Sequence, residues 1–156
     1  MARARTIAGL HAELPLDEAA SRTVRVRTEE LFGHLDRAGS QPDADAVHDV
    51  RVATRRLRAA LEVYAPCFAA KRLKPVLHDV KALADGLGVR RDADVQLSAL
   101  ASFAAEVKAA DLPGVEAFAA RIRADRDGGD ELLAAAIARA TEDDLRGRLL
   151  ALTAPA

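Results

Sequence analysis

His48, Arg51, Arg55 and Arg58 recur at steps of three and four within the stretch Ala46–Pro66, AVHDVRVATRRLRAALEVYAP. On a helix, at about 100° per residue, these four side chains fall within roughly 80° of one another. Three guanidiniums and an imidazole therefore form a row of one sign, with only Glu62 close enough in sequence to neutralise it. Like charges one turn apart destabilise a helix by a few tenths of a kcal/mol per pair, so the row implies an anion lying along it. An arginine fork matches two phosphate oxygens, and the helix repeats that fork about every 5.4 Å. The ligand such a row fits is an anion. His48 donates one hydrogen bond when neutral and adds a charge when protonated. The blander alternative, a solvated face paired to acids on neighbouring helices, is disfavoured because charge of one sign is sorted onto one side. Arg56 falls on a different side and reads as an ordinary surface residue.

A second basic row follows. Lys71, Lys74, His78 and Lys81 share one face of a helix read from about Ala70 to Gly86, with Leu73, Leu77, Val80, Ala84 and Leu87 turned inward. Pro75 fits that helix only in the first turn, where its missing N–H removes no hydrogen bond. Antiparallel helices joined by a short connection are normally neighbours, so the two rows predict one groove. Arg90 and Arg91 precede a further helix read from about residue 91, with Asp92 or a neighbour as cap, to about Ala109. Free N–H groups and the helix dipole would favour an anion there; the competing reading is a local Arg91–Asp92 clip.

These side chains need a scaffold. Residues 1–15 read as a lead-in, with a helical turn around Ile7 and Leu10 ended by Pro15. A first helix is predicted from about Leu16 to Ala38, with Ala20, Val24, Leu31 and Leu35 as its apolar stripe and Gly39 as its stop. Gly-Ser-Gln-Pro at 39–42 reads as a loop. Asp43 or Asp45 suits the cap of the second helix, which buries Val47, Val50, Thr54, Leu57, Leu61 and Tyr64 and ends at Pro66. The helix after Arg91 would bury Val95, Leu100, Phe103 and Val107. After a break at Asp111–Gly114, Val115, Phe118, Ile122, Leu132, Ala136 and Ala140 thread one long helix to about Arg139. Gly128 and Gly129 would cost that helix about 2 kcal/mol against alanine, and a break there capped by Asp130 is the alternative. Thr141 and Asp144 suit a capping box for a last helix carrying Leu145, Leu149 and Leu152. With no strand signal of any length, the expected fold is all-α: a single domain over 1–156, an antiparallel bundle of four to six helices.

Composition sharpens the charge argument. The chain has 156 residues, half of them hydrophobic, and a net charge of −1; that length can bury a core. Residues 48–91 hold ten Lys+Arg against four Asp+Glu, while the remainder holds 13 against 20. A basic segment in an acidic chain points to a focused anion site rather than a generally sticky surface. One cysteine, Cys67, excludes an internal disulfide and offers no thiolate metal site. No run is long or apolar enough for a signal peptide or a membrane span, so a cytoplasmic, reducing environment is expected.

Val47-His48-Asp49-Val50-Arg51-Val52-Ala53-Thr54-Arg55-Arg56-Leu57-Arg58 resembles the signature of the CHAD family, the conserved-histidine α-helical domains. Leu87-Gly88-Val89-Arg90-Arg91-Asp92-Ala93-Asp94-Val95 resembles that family's second motif, LG…RDxDV, in the same order and with a helix between. The resemblance covers most of residues 16–109 and, more loosely, the rest. It implies a helical bundle that binds inorganic polyphosphate through a basic surface, in some members fused to a triphosphate-tunnel domain. His48, Arg51, Arg55 and Arg58 match the first motif, and Arg91, Asp92 and Asp94 the second. Lys74, His78 and Lys81 rest on their shared face alone. Family members usually carry a second helical half with its own His/Arg helix, and this chain shows no second H-x-x-R-x-x-x-R. Either one bundle suffices or two chains associate to rebuild the symmetric basic channel; a homodimer is the expectation, C2 pairing being the commonest assembly. The resulting expectation is a non-catalytic polyphosphate-binding module without metal or cofactor, cytoplasmic and associated with polyphosphate granules. The polyanion would lie in a groove between the helices at about 44–67 and 70–87 and the start of the helix at about 91.

Three rivals remain. Nucleic acid also presents a row of phosphates, but four Phe, one Tyr and no Trp leave no stacking platform for single strands, and no helix-turn-helix spacing stands out. A metal phosphohydrolase could use the doublets His48-Asp49 and His78-Asp79 with Asp92 and Asp94. A divalent cation would be repelled by Arg51, Arg55 and Arg58, however, and each Asp turns about 100° from its His on a helix. There is no serine or cysteine nucleophile site, no glycine-rich phosphate loop and no E-x-E-x-K run. The last rival is a helical scaffold for an acidic protein surface. The acidic stretch from residue 92, with 12 Asp+Glu against seven Lys+Arg, could then cover the groove of a neighbouring molecule.

Overall fold

The computed structural model describes residues 3–40 and 44–154, the side chains of Ser40, Ala44, Val89, Arg90 and Arg91 excepted. Its helices are α1 (Leu16–Ser40), α2 (Ala44–Val63), α3 (Ala70–Ala104), α4 (Leu112–Glu142) and α5 (Leu145–Leu152), with a 3-10 turn at Ala65–Cys67. Among the described residues there is no strand, and the all-α bundle expected from periodicity is what forms.

α2 lies between α1 and α3. Arg37 of α1 meets Asp49 of α2 and Glu30 of α1 meets Arg56 of α2, so α1 and α2 run antiparallel. The core is built where periodicity places it: Val24, Leu31 and Leu35 of α1 with Val47, Val50, Leu57 and Leu61 of α2. The first half of α3 adds Leu73, Val80 and Leu87, and α5 closes the bundle with Leu145, Leu149 and Leu152. Thr54 is fully buried among them and satisfies its hydroxyl by donating to the Val50 carbonyl at 2.8 Å.

Several boundaries differ from the sequence pattern. Gly88 does not end α3, and the helix expected to start near residue 91 is the continuation of the same 35-residue helix. One glycine costs an interior turn about 1 kcal/mol, which packing along α4 offsets. Pro75 is the sixth residue of α3, past the first turn, so the Lys71 carbonyl loses its helical N–H partner. α1 continues through Gly39, whereas Gln41, Pro42 and Asp43, the rest of the expected loop and one candidate cap, lie outside the described residues. α4 runs unbroken through Gly128 and Gly129. Asp144 caps α5, accepting the Gly147 N–H at 3.0 Å; Thr141 instead bonds back to Ile137 within α4. The lead-in makes turns rather than a helical turn and is tied to α1: Arg22 and Arg27 donate to the carbonyls of Gly9 and Arg5, each at 3.1 Å.

The distal half of α3 and the first half of α4 leave the core. Leu87 and Leu133 are the last members of the central cluster on these helices; beyond them Ala93, Ala119, Ile122 and Gly129 are the buried residues described. Val95, Phe103, Phe118 and Leu132, all expected inside, are 48, 54, 54 and 56 % exposed. A two-helix hairpin can bury only the stripe each helix turns to the other, and among the described residues no third layer covers the remaining apolar positions.

Candidate functional site

The two flanks of α2 have different chemistry. On the flank toward α1, the buried Asp49 accepts from Arg37 at 2.6 Å. Burial opposes ionisation of Asp49, but the hydrogen bond from Arg37 and the charges of His34 and Arg37 outweigh it, so its carboxyl is held below the ordinary aspartate value. On the same side Arg56 donates at 3.1 Å to Glu30, which is 2 % exposed and also takes Arg27 at 2.6 Å and the Arg5 backbone N–H at 3.3 Å. Arg56 is thus more than an ordinary surface residue: with Arg27 it belongs to a part-buried ion-pair network centred on Glu30. The sequence signal was an i,i+3 Arg27–Glu30 pair beside the apolar stripe of α1, which periodicity alone did not link to Arg56.

The opposite flank carries His48, Arg51, Arg55 and Arg58. Arg51 and Arg55 are exposed, His48 and Arg58 half-buried. Among the described residues, neither Arg51 nor Arg55 has a carboxylate partner. Arg58 donates through Nε to Glu62 at 3.0 Å, and Lys81 of α3 reaches the same Oε1 at 3.5 Å. Glu62 therefore joins the α2 row to the α3 row. Its pKa is lowered, chiefly by the Arg58 hydrogen bond, against a smaller opposing effect of burial and with help from Lys81.

That contact also sets the register. Glu62 is the penultimate residue of α2, while Lys81 lies three turns into α3. Lys74 and His78, both exposed, precede Lys81 and so continue the row past the end of α2 rather than facing Arg51 and Arg55 across a groove. The cations form a lengthwise band: roughly 21 Å from His48 to Glu62 and a further 10 Å from Lys81 to Lys74, at 1.5 Å per residue. Within it stand five Lys or Arg, two His and one carboxylate.

Other expected members fare differently. The side chains of Arg90 and Arg91 lie outside the described residues. Their backbone is inside α3, so the helix N-terminus that would have offered free N–H groups beside them does not exist. In each HD doublet the carboxylate turns from its own His to an arginine on another helix: Asp49 to Arg37, and Asp79 to Arg148 of α5 at 2.6 Å. No cluster of three or more His, Cys, Asp or Glu is gathered among the described residues. A separate groove of about 350 Å³ opens between α3, α4 and α5; Ala82, Gly86, Leu132 and Ala136 make its surface mostly apolar, Asp79, Asp85, Arg139, Asp143 and Arg148 also line it, and it does not include the band.

Among the described residues no helix is long and apolar enough to cross a membrane. The family model described as CHAD domain matches residues 18–156. The chain is 38 % identical over 81 residues to "Uncharacterized protein Rv2226" of Mycobacterium tuberculosis (strain ATCC 25618 / H37Rv). It is 37 % identical over 81 residues to "Uncharacterized protein MT2285" of strain CDC 1551 / Oshkosh. Each match covers 52 % of this chain but only 16 % of the relative. No solved structure matches.

Proposed function

The chain belongs to the CHAD domain family, and from that premise we propose that it is a non-catalytic module binding inorganic polyphosphate along the band from His48 to Lys74. The family is associated with polyphosphate binding. The observation that carries the reading for this chain is the pair Arg51 and Arg55: exposed, one turn apart, and without a carboxylate partner among the described residues.

A polyphosphate has a charge on every unit and no bases to read, so its binder needs repeated cationic donors along a line. Arg51 and Arg55 supply forks for paired oxygens. Arg58 and Lys81 stand poised on Glu62 and can turn one donor to the ligand while keeping another on the carboxylate. Lys74 adds a less directional charge, and His48 and His78 add hydrogen bonds at either end. Arg91 enters through its motif match alone. Hydrolysis is not part of the proposal. A divalent cation beside three guanidiniums would be repelled, and the carboxylates of both HD doublets are engaged elsewhere. Residence in the cytoplasm, including polyphosphate granules, belongs to the same reading.

The test is a titration with labelled long-chain polyphosphate at low and high salt, with duplex DNA as competitor at equal phosphate concentration. Affinity that falls steeply with salt and weak competition by DNA support the reading. Equal competition by DNA, or phosphate release on adding Mg²⁺, contradicts it.

A further inference from the structure

We propose that Asp85 and Asp92 are specificity-determining residues, a carboxylate kerb along α3 that confines the cation band to a single-file polyanion and turns away duplex nucleic acid; this rests on the polyphosphate reading of the band. The kerb follows from register. α2 and α3 are consecutive, packed helices that run antiparallel across a short connection, and the Glu62–Lys81 contact fixes their level. Counted in opposite directions from that contact at equal rise, Asp85 comes level with Arg58, Gly88 with Arg55 and Asp92 with Arg51. At about 100° per residue, Asp85, Gly88 and Asp92 lie within roughly 40° of Lys81 around α3, on the side that borders the arginine row. Asp85, the furthest round, also reaches the rim of the groove toward α4. Asp85 and Asp92 are exposed, and among the described residues neither has a cationic partner. Glu30, Asp49, Glu62 and Asp79, by contrast, each hold an arginine. A Cβ at Gly88 would meet nothing within 4 Å, so the stretch between the two carboxylates is open. Among the described residues, then, two unpaired arginines on α2 run beside two unpaired carboxylates on α3.

Helix axes packed about 8–10 Å apart hold the two lines of charge apart, and that spacing discriminates between ligands. A duplex carries two phosphate strings separated by grooves about 6 and 12 Å wide. With one strand on the arginines, the other passes over α3 and meets Asp85 and Asp92. Summed over both lines, the charges of Arg51, Arg55 and Arg58 are cancelled by Asp85, Asp92 and Glu62. An inorganic polyphosphate has no second string. It lies on the α2 side, about one Debye length (about 8 Å at physiological salt) from the kerb, and keeps most of the attraction of the arginines.

The test compares D85N/D92N with wild type, measuring fluorescence anisotropy of labelled long-chain polyphosphate and of a labelled DNA duplex at about 0.15 M salt. Each carboxylate removed restores the equivalent of one phosphate contact to the duplex. At about 0.9 per contact in the slope of log K against log salt, duplex affinity should rise roughly thirtyfold. Polyphosphate affinity should rise by less than about fourfold, one contact's worth for a single-stranded polyanion, so selectivity falls. E106Q/E116Q changes the net charge equally at exposed positions near the hairpin tip and should leave the selectivity as it is. All four positions are exposed, so far-UV circular dichroism should show unchanged helix content. A wild type that prefers polyphosphate, with a D85N/D92N variant of the same preference, overturns the kerb and leaves the polyphosphate reading standing. A wild type that binds no polyphosphate overturns both.

Discussion

Replacing Glu62 by glutamine separates a ligand-binding role for the cation band from a purely structural one, because the two predict opposite outcomes. Glu62 Oε1 takes Arg58 at 3.0 Å and Lys81 at 3.5 Å, with side chains 43 % exposed on all three residues. Exposed pairs of this kind contribute about 0.2–1 kcal/mol each, so Glu62→Gln, which removes two, should lower stability by at most about 2 kcal/mol. For binding, the change removes the carboxylate that holds two of the band's cations. Each additional net contact adds about 0.7 to the slope of log K against log salt for a single-stranded polyanion. At 0.15 M salt this corresponds to roughly fourfold tighter binding. The assay is fluorescence anisotropy with polyphosphate of one length across a salt series. Tighter binding with a steeper slope agrees with a ligand passing over Glu62. Weaker binding, or an unchanged slope, refutes that placement.

Removing Glu30 as Glu30→Ala should cost about 3 kcal/mol in urea unfolding. Breaking a buried pair leaves an uncompensated charge, here Arg27, whose side chain is 14 % exposed. Asp49 contributes stability through a lowered pKa; that contribution is present above the ordinary value of about 3.9 and is lost as pH falls through the lower folded value. Asp49→Asn should therefore cost about 1 kcal/mol at neutral pH, as loss of a charge-assisted hydrogen bond to a half-exposed partner would, and the gap to wild type should narrow as pH falls below the ordinary aspartate value.

Where apolar residues repeat at helical spacing and a partner layer exists, sequence and structure agree. Val24, Leu31 and Leu35, and Val50, Leu57 and Leu61, are buried as their spacing requires. The pairing of the Arg58 row with Glu62 was legible for the same reason: i,i+4 geometry is local. Phe103, Phe118 and Leu132 show the limit, since periodicity marks an apolar face without saying whether another element covers it. Arg56 fails in the reverse direction, because its partner Glu30 is 26 positions away and only the antiparallel register of α1 and α2 brings them together. The groove expected between two facing basic rows depended on the α2–α3 register. The connection at Tyr64–Ala69 is long enough to slide α3, which turns facing rows into one extended band. Gly88 and Asp92 carried stop and cap signals, yet local preferences of about 1 kcal/mol yield to packing along a long hairpin.

The most direct measurement is polyphosphate affinity of the charge-reversal variant R51E/R55E beside wild type, read with helix content by circular dichroism. Losing two contacts and gaining two repulsions should weaken binding roughly a hundredfold or more at 0.15 M salt and flatten the salt slope, with the helical signal intact. An affinity within about threefold of wild type would contradict the account.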